Sequence, residues 1–517
     1  MLNSTRQLVL ADADDSALGL ALAVPGSAFT WAADGRPQTL RRLWLDTFDW
    51  RLYRSGLTLE QVSRRGSVEL TLTGRDGGVL ATEQPGRIRW PLQLDALPAG
   101  PLRDQLAPVA GVRALLPVAR AISAVAGRRV LNSDEKTVAR VSVDRMSVSY
   151  PTAAALPPRL TVTPLRGYET QALRVSDLLA AAPGITDGVR PALEAALTAA
   201  GQKPGDYPGK AEVRLTARMP AATALAAVLT ALLDTVEANV TGTIRDIDTE
   251  FLHDLRIAVR RTRSALKLAG DILPADVVEC FRREFRWLGD ATTPTRDLDV
   301  YLMTLPEMTA DLVAGTAEEL EPFQAHLARS RAAAQRELAR ALRSGRYSRL
   351  AREWRRALET APGGAERPSA ARLAASRIAR AHRRVLRDGS AITATSPPEL
   401  LHDLRKRCKE LRYLLEFFGS LYDPGEHWRA VRELKALQDC LGEFQDTQVQ
   451  HDEIRAFADQ MMAQRAAPAA TLLAMGEIAV GLAARQRKAR SEFAGRFRDF
   501  ASPASQSRIR TLIGAAA

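Results

Sequence analysis

Histidine, arginine and lysine recur in this chain at a spacing suited to holding a row of anions. His253, Arg256, Arg260, Arg263 and Lys267 are separated by three, four, three and four residues, and His402, Arg405, Lys409 and Arg412 by three, four and three. Steps of three and four keep side chains on one face of an α-helix. At about 1.5 Å of rise per residue, successive cations stand roughly 5 Å apart. Arginine grips phosphate oxygens through two parallel hydrogen bonds, whereas lysine supplies a mobile point charge. Each row therefore predicts a linear site for an extended polyanion. A bound polyanion draws the histidine of each row toward imidazolium, and its arginine neighbours push it toward the neutral ring, so its sign in the free protein stays open.

The elements that must position these rows are also legible. Leu252, Leu255, Val259 and Leu266, like Leu401, Leu404, Cys408, Leu411 and Leu415, keep the same period one residue earlier. They form an apolar stripe about 100° from the basic one, the side expected to be buried. Leu252-His253-Asp254-Leu255-Arg256 recurs 149 residues later as Leu401-His402-Asp403-Leu404-Arg405. The same offset carries Arg260 onto Lys409, Arg263 onto Arg412, Arg286 onto Lys435, Asp290 onto Asp439, Asp297 onto Asp446 and Val300 onto Val449. This reads as an internal duplication. It adds Arg286 and Lys435 to the candidate site, while Asp297 and Asp446 are expected to cap or pair with the basic helices. Arg377, Arg380, Arg384 and Arg387 form a further candidate row. Arg349, Arg352 and Arg356, beside Glu353, read as a solvated face. One histidine beside one aspartate in each copy is too few ligands for a metal, and no metal or other cofactor is expected.

With 517 residues, 46% of them hydrophobic, the chain can bury more than one core. A net charge of +12 favours nucleic acid, an anionic membrane or a phosphate polymer as partner, without choosing among them. Cys280, Cys408 and Cys440 form no CxxC pair, which favours a reducing compartment, so a cytoplasmic location is expected. The first 23 residues lack a basic segment before an apolar run, and no stretch reaches the roughly 18 uninterrupted apolar residues of a spanning helix. Neither export nor membrane insertion is expected.

Residues 1–205 read as an α+β domain, with strands at Arg41–Leu45, Ser67–Thr73, Ile88–Leu92, Val138–Val148 and Arg159–Val162 and helices near Val112–Ala126 and Val175–Ala200. Residues 206–219 form the linker, introduced by the Gly- and Pro-punctuated stretch 201–209. Residues 220–510 are predicted all-α, in two related bundles over about 220–345 and 370–510. Pro274, Thr292-Thr293-Pro294, Pro306, the 361–364 stretch, Pro397-Pro398 and Pro424-Gly425 are expected to separate the helices.

Around the two His-containing rows, and at Arg296-Asp297-Leu298-Asp299-Val300, the region 215–510 resembles the CHAD family, the histidine-containing α-helical domain. The resemblance implies paired helical bundles related by pseudo-twofold symmetry, with a basic channel that binds inorganic polyphosphate and brings the protein to polyphosphate granules. Carried over by position, His253, Arg256, Arg260, Arg263, His402, Arg405, Lys409 and Arg412 would line that channel. Leu45-Asp46-Thr47-Phe48-Asp49-Trp50-Arg51-Leu52-Tyr53-Arg54-Ser55-Gly56 is similar to the turn of the CYTH, or triphosphate tunnel, family, which implies a tunnel-like β-barrel over residues 5–205. The metal-holding E-x-E-x-K acids of that family are missing from Thr5–Leu10. Glu60 and Val62 stand where its phosphate-binding arginines are usual, and Leu160–Thr163 lacks alternating glutamates. The tunnel domain is therefore expected to be degenerate and non-catalytic.

Three functions follow from this pattern: a non-enzymatic polyphosphate-binding protein, a metal-dependent triphosphatase or polyphosphatase acting through the N-terminal domain, and a nucleic-acid-binding protein. Aromatic residues make up 5% of the chain and none lies on the basic stripes, so the stacking platforms of the third are missing. The expected partner is inorganic polyphosphate, with oligomeric state left open.

Overall fold

The computed structural model describes residues 5–10, 29–86, 88–188, 190–207, 213–268, 272–360 and 368–516. The chain divides into two compact units, Met1–Tyr207 and Pro208–Ala517.

The first unit is built on one antiparallel sheet. Its strands are β1 (Arg6–Leu10), β2 (Thr30–Ala33), β3 (Gln38–Thr47), β4 (Thr58–Arg64), β5 (Ser67–Thr73), β6 (Val79–Glu83), β7 (Leu115–Leu131), β8 (Thr137–Tyr150), β9 (Ala154–Ala155), β10 (Arg159–Pro164) and β11 (Ile185–Thr186). They run in the order β11-β1-β10-β8-β7-β3-β4-β5-β6, with β2 also on β7 and β9 on β8. The sheet curls strongly: residues of β1, β4, β5 and β8 line one cavity of about 580 Å³. Helices α1 (Arg51–Arg54), α2 (Pro101–Ala110), α3 (Glu169–Ala180) and α4 (Ala192–Ala199) complete the unit, the last three packing apolar faces on the sheet.

Three sequence expectations fail in this unit. Val112–Ala126 is not a helix: from Leu115 onward it is the first part of β7, flanked by β3 and β8. Its alanines favour a helix in isolation. Ala119, Ala121 and Ser123, however, are buried in alternation with exposed Arg120 and Ile122, the period of a strand. Ile88–Leu92 makes a single bridge, Leu92 to Leu115, instead of a strand, and Pro91 has no N–H to give a ladder. Val175–Ala200 is broken into α3, β11 and α4 by a turn at Gly184, whose φ is 80°.

The Asp46–Arg54 segment folds around a buried carboxylate. Asp46 accepts the N–H groups of Thr47, Leu52 and Tyr53 at 2.7, 2.9 and 2.9 Å. Burial lifts its pKa to about 6, against the pull of those three bonds. The segment is therefore a structural clasp that starts α1.

The second unit is helical throughout: α5 (Ala221–Ile244), α6 (Thr249–Leu268), α7 (Ala275–Ala310), α8 (Glu321–Arg343), α9 (Gly345–Glu359), α10 (Ala370–Ser390), α11 (Pro398–Phe417), α12 (Pro424–Ala463), α13 (Ala469–Phe500) and α14 (Pro503–Ala516). The starts of α5 and α10, α6 and α11, and α7 and α12 each differ by 149 residues. Both predicted apolar stripes are buried, with Leu255, Leu404, Cys408, Leu411 and Leu415 fully so. One core draws on α5, α6, α7, α10, α11 and α12 together, and a second joins the far ends of α7 and α12 to α8 and α13. Tyr301 Oη donates to the Gln450 carbonyl at 2.6 Å, linking α7 to α12. Helix α5 is long and apolar enough to cross a membrane, and it serves here as a core helix.

Two of the expected helix separators are not separators. Pro294 and Pro306 lie inside α7. Each proline removes one bond of the helix, to the carbonyl of Asp290 or Leu302, and the helix runs on through both. Beside Pro294, the Thr292 and Thr293 hydroxyls donate to the Gly289 carbonyl at 2.7 and 2.9 Å. Near Pro306, Thr304 bonds Val300 at 2.9 Å. Pro398 and Pro424 instead occupy first-turn positions, where a missing N–H is harmless; Asp423 caps α12 by accepting the Glu426 N–H at 2.9 Å. The 361–364 stretch lies outside the described residues.

Candidate functional site

Both predicted rows stand on single helices, α6 and α11, whose apolar stripes anchor them in the shared core. Contacts between the helices bring the rows together. Arg261 Nη2 on α6 pairs with Glu416 on α11, and Glu416 also takes Arg412 Nε at 2.7 Å. The Arg260 and Arg261 guanidiniums lie 6.0 and 5.9 Å from the centroid of the Tyr413 ring. That ring sits beneath the cations, buried, where the stripe pattern offered no aromatic.

The electrostatics of the two rows follow from this approach. Burial lowers the Lys409 pKa to about 8, and Arg405, Arg260 and Arg412 push it the same way while Asp446 opposes them. Arg260 comes from the other row, so the two rows share one field. Arg256 is likewise pulled down by burial and by Arg260, Arg296 and Arg263, with Asp297 opposing. Burial, then Arg296, holds His253 below the usual imidazole range, which resolves its free-state sign toward the neutral ring. His402 Nδ1 lies 2.6 Å from Gln445 Oε1.

Neighbouring helices position the guanidiniums in matching ways. Arg256 Nη1 donates to Thr293 Oγ1 at 2.5 Å and its Nη2 lies 3.7 Å from Asp297. Arg405 Nη2, at the equivalent position, meets Asp446 at 2.9 Å. The Arg263 guanidinium lies over Gly289, where an added Cβ would stand 2.7 Å from Nη1. Its counterpart Arg412 reaches the Gln438 side chain at 3.3 Å.

Lys267, Arg286 and Lys435 are exposed. Of the α10 row, Arg377 and Arg384 are half-buried and Arg380 exposed, and Arg387 pairs with Asp388, which also holds Arg407. Arg296, Thr292, Thr293, Gln445 and Glu416 also belong to the candidate site, and their spacing in the sequence does not single them out. Arg296 adjoins Asp297 in the sequence, and Thr292-Thr293-Pro294 carries the signal of a helix breaker rather than of a binding residue.

The first unit's cavity is polar and internally neutralised. Arg42 donates to Glu60 at 2.7 Å, Asp144 at 2.9 Å and Ser123 at 2.9 Å. Tyr53 donates to Glu194 at 3.2 Å. A divalent ion of the kind tunnel enzymes use needs clustered, available carboxylates. Here Glu60 and Asp144 are occupied by a guanidinium, Gln7 takes the β1 position in the lining, and no group of three potential metal ligands occurs among the described residues. The residues present do not fit the metal.

Comparison with curated proteins found no match. Among solved structures, the chain is similar to the CHAD domain from the plant Ricinus communis, at 27% identity over 59% of this chain and 96% of that one, with a TM-score of 0.44. PptA from Streptomyces chartreusis shares 19% identity over 54% of this chain and 99% of that one, TM-score 0.44. A protein from Hippeastrum, described as having a dominant triphosphatase activity, shares 14% identity over 39% of this chain and 98% of that one, TM-score 0.27. The CHAD domain family itself matches residues 227–455, from within α5 to within α12 and spanning both His-containing rows. This part of the chain is a CHAD domain.

Proposed function

We propose that this protein binds inorganic polyphosphate non-catalytically, along the joined rows of α6 and α11, and that it acts in the cytoplasm, at polyphosphate granules. The observation that carries the reading is the joining of the two rows by Glu416, which pairs with Arg261 of α6 and Arg412 of α11, and by the Tyr413 ring beneath Arg260 and Arg261. Among the described residues, Arg256, Arg260, Arg263, Arg296, Arg405, Lys409 and Arg412 outnumber the carboxylates that face them, Asp297, Asp446 and Glu416, with Asp439 acting on Arg412 and Asp299 beside Arg296. Such an excess is self-repelling and is relieved by a polyanion. We read the 149-residue offset of matching helices as a duplication that made one row into two. The CHAD match at 227–455 agrees with this ligand.

The test is binding of long-chain polyphosphate to the full chain and to the double variant Arg256→Glu/Arg405→Glu, with circular dichroism to verify folding. Loss of two phosphate contacts and addition of two repulsive charges should weaken binding by at least about a hundredfold at low salt. Unchanged affinity in the folded variant rules the reading out.

A further inference from the structure

The three carboxylates at the joined rows differ in how they are held. Glu416 bonds guanidiniums from both helices and its side chain is only 21% exposed. It is a fixed clasp. Asp297 and Asp446 each face one arginine of the rows, at 3.7 and 2.9 Å, and their side chains are 46% and 62% exposed. Their arginines are the more enclosed partners, at 28% and 19%. Each guanidinium is thus seated by its surroundings, with Arg256 held by Thr293, while the carboxylate opposite can swing into water. The two halves share this pairing at equivalent positions with different closeness: Asp446 accepts a hydrogen bond from Arg405 at 2.9 Å, and Asp297 stands at ion-pair distance, 3.7 Å, from Arg256.

A carboxylate on a guanidinium occupies the place a phosphate would take, with the same charge-assisted geometry. We propose that Asp297 and Asp446 are intramolecular competitors, holding the phosphate positions of Arg256 and Arg405 in the free protein and released when a polyanion displaces them. This rests on the polyphosphate reading above. The consequence is a threshold. A single phosphate must displace a tethered carboxylate for one new contact. A chain that also reaches Arg260 and Arg263, which form no ion pair among the described residues, gains contacts without displacing a carboxylate, and so clears it. Asp297 and Asp446 are specificity-determining residues of the same site, selecting polymer over monomer.

The test compares the full chain with Asp446→Asn, Asp297→Asn/Asp446→Asn and a control, Asp403→Asn. Asp403 lies on α11 but pairs with Lys406, off the row, at 3.0 Å. Affinities are measured for tripolyphosphate and for long-chain polyphosphate at one ionic strength. Each exposed ion pair is modest, so Asp446→Asn should tighten binding by about two- to fivefold, and the double variant by about five- to twentyfold. Asp403→Asn, with the same change in net charge, should shift affinity less than about twofold. Equal gains from Asp403→Asn and Asp446→Asn, or no gain in the double variant, overturn the competitor role while leaving polyphosphate binding intact. Failure of the unaltered protein to bind polyphosphate overturns both.

Discussion

Lys409 makes the proposed site a proton acceptor near neutral pH. In the free protein, burial and three arginines depress its pKa from 10.5 to about 8. A phosphate chain laid along the rows adds negative charge beside the ammonium and returns its pKa toward the unperturbed value. The sign follows from linkage. The complex holds more protons than the separated partners wherever pH lies between the free and bound pKa values, so affinity falls as pH rises through that window. If binding restores 10.5, complex formation at pH 8 takes up about half a proton, and the binding constant at pH 9 is about one-tenth of that at pH 7. Isothermal titration calorimetry in buffers of different ionisation enthalpy reads the proton count directly, using long chains, whose few end groups titrate little. Lys409→Arg keeps the charge and removes the titration, so its affinity should be nearly flat from pH 7 to 9. A flat profile in the unaltered protein, or an undiminished slope in Lys409→Arg, refutes the reasoning.

Other outcomes follow from single contacts. Arg42→Gln takes from Glu60 and Asp144 the guanidinium they share in the first unit's cavity, so urea unfolding should lose about 1–3 kcal/mol. Gly289→Ala displaces the movable end of Arg263 while favouring the helix, so polyphosphate affinity should drop a few-fold with chemical stability held or raised by up to about 1 kcal/mol. Trp354 is fully buried against Phe281 and Phe285, at ring distances of 4.4 and 5.8 Å. Trp354→Ala should cost about 3–5 kcal/mol in urea unfolding.

Local periodicity carried much of this molecule. The boundaries of α6 and α11 enclose the two rows, and the apolar stripe one residue earlier is the buried one, because a residue's face on a helix depends only on spacing. Residues 112–126 show the limit of that logic: alanine favours helices, yet pairing with β3 and β8 decided for a strand, and partners that distant leave no local signal. Pro294 shows another. A proline reads as an end of a helix, yet α7 continues through Pro294, and the Thr293 hydroxyl just before it bonds the Gly289 carbonyl and receives Arg256. The Arg261–Glu416 clasp and the approach of Arg260 to Lys409 join residues roughly 150 positions apart. Each row was therefore visible by itself, and their union was not. In the first unit, missing acids were legible, whereas the occupation of Glu60 and Asp144 by Arg42 needed the curl of the sheet.

The central claim is that the joined rows of α6 and α11 prefer a phosphate thread over other polyanions. A competition titration measures this most directly: the full chain bound to labelled long-chain polyphosphate, displaced by unlabelled polyphosphate or by single-stranded RNA at equal phosphate concentration and equal salt. Polyphosphate displacing at least about tenfold better than RNA is the predicted result, since the rows offer closely spaced cations and no stacking surface. Displacement by RNA at equal or lower phosphate concentration contradicts the claim.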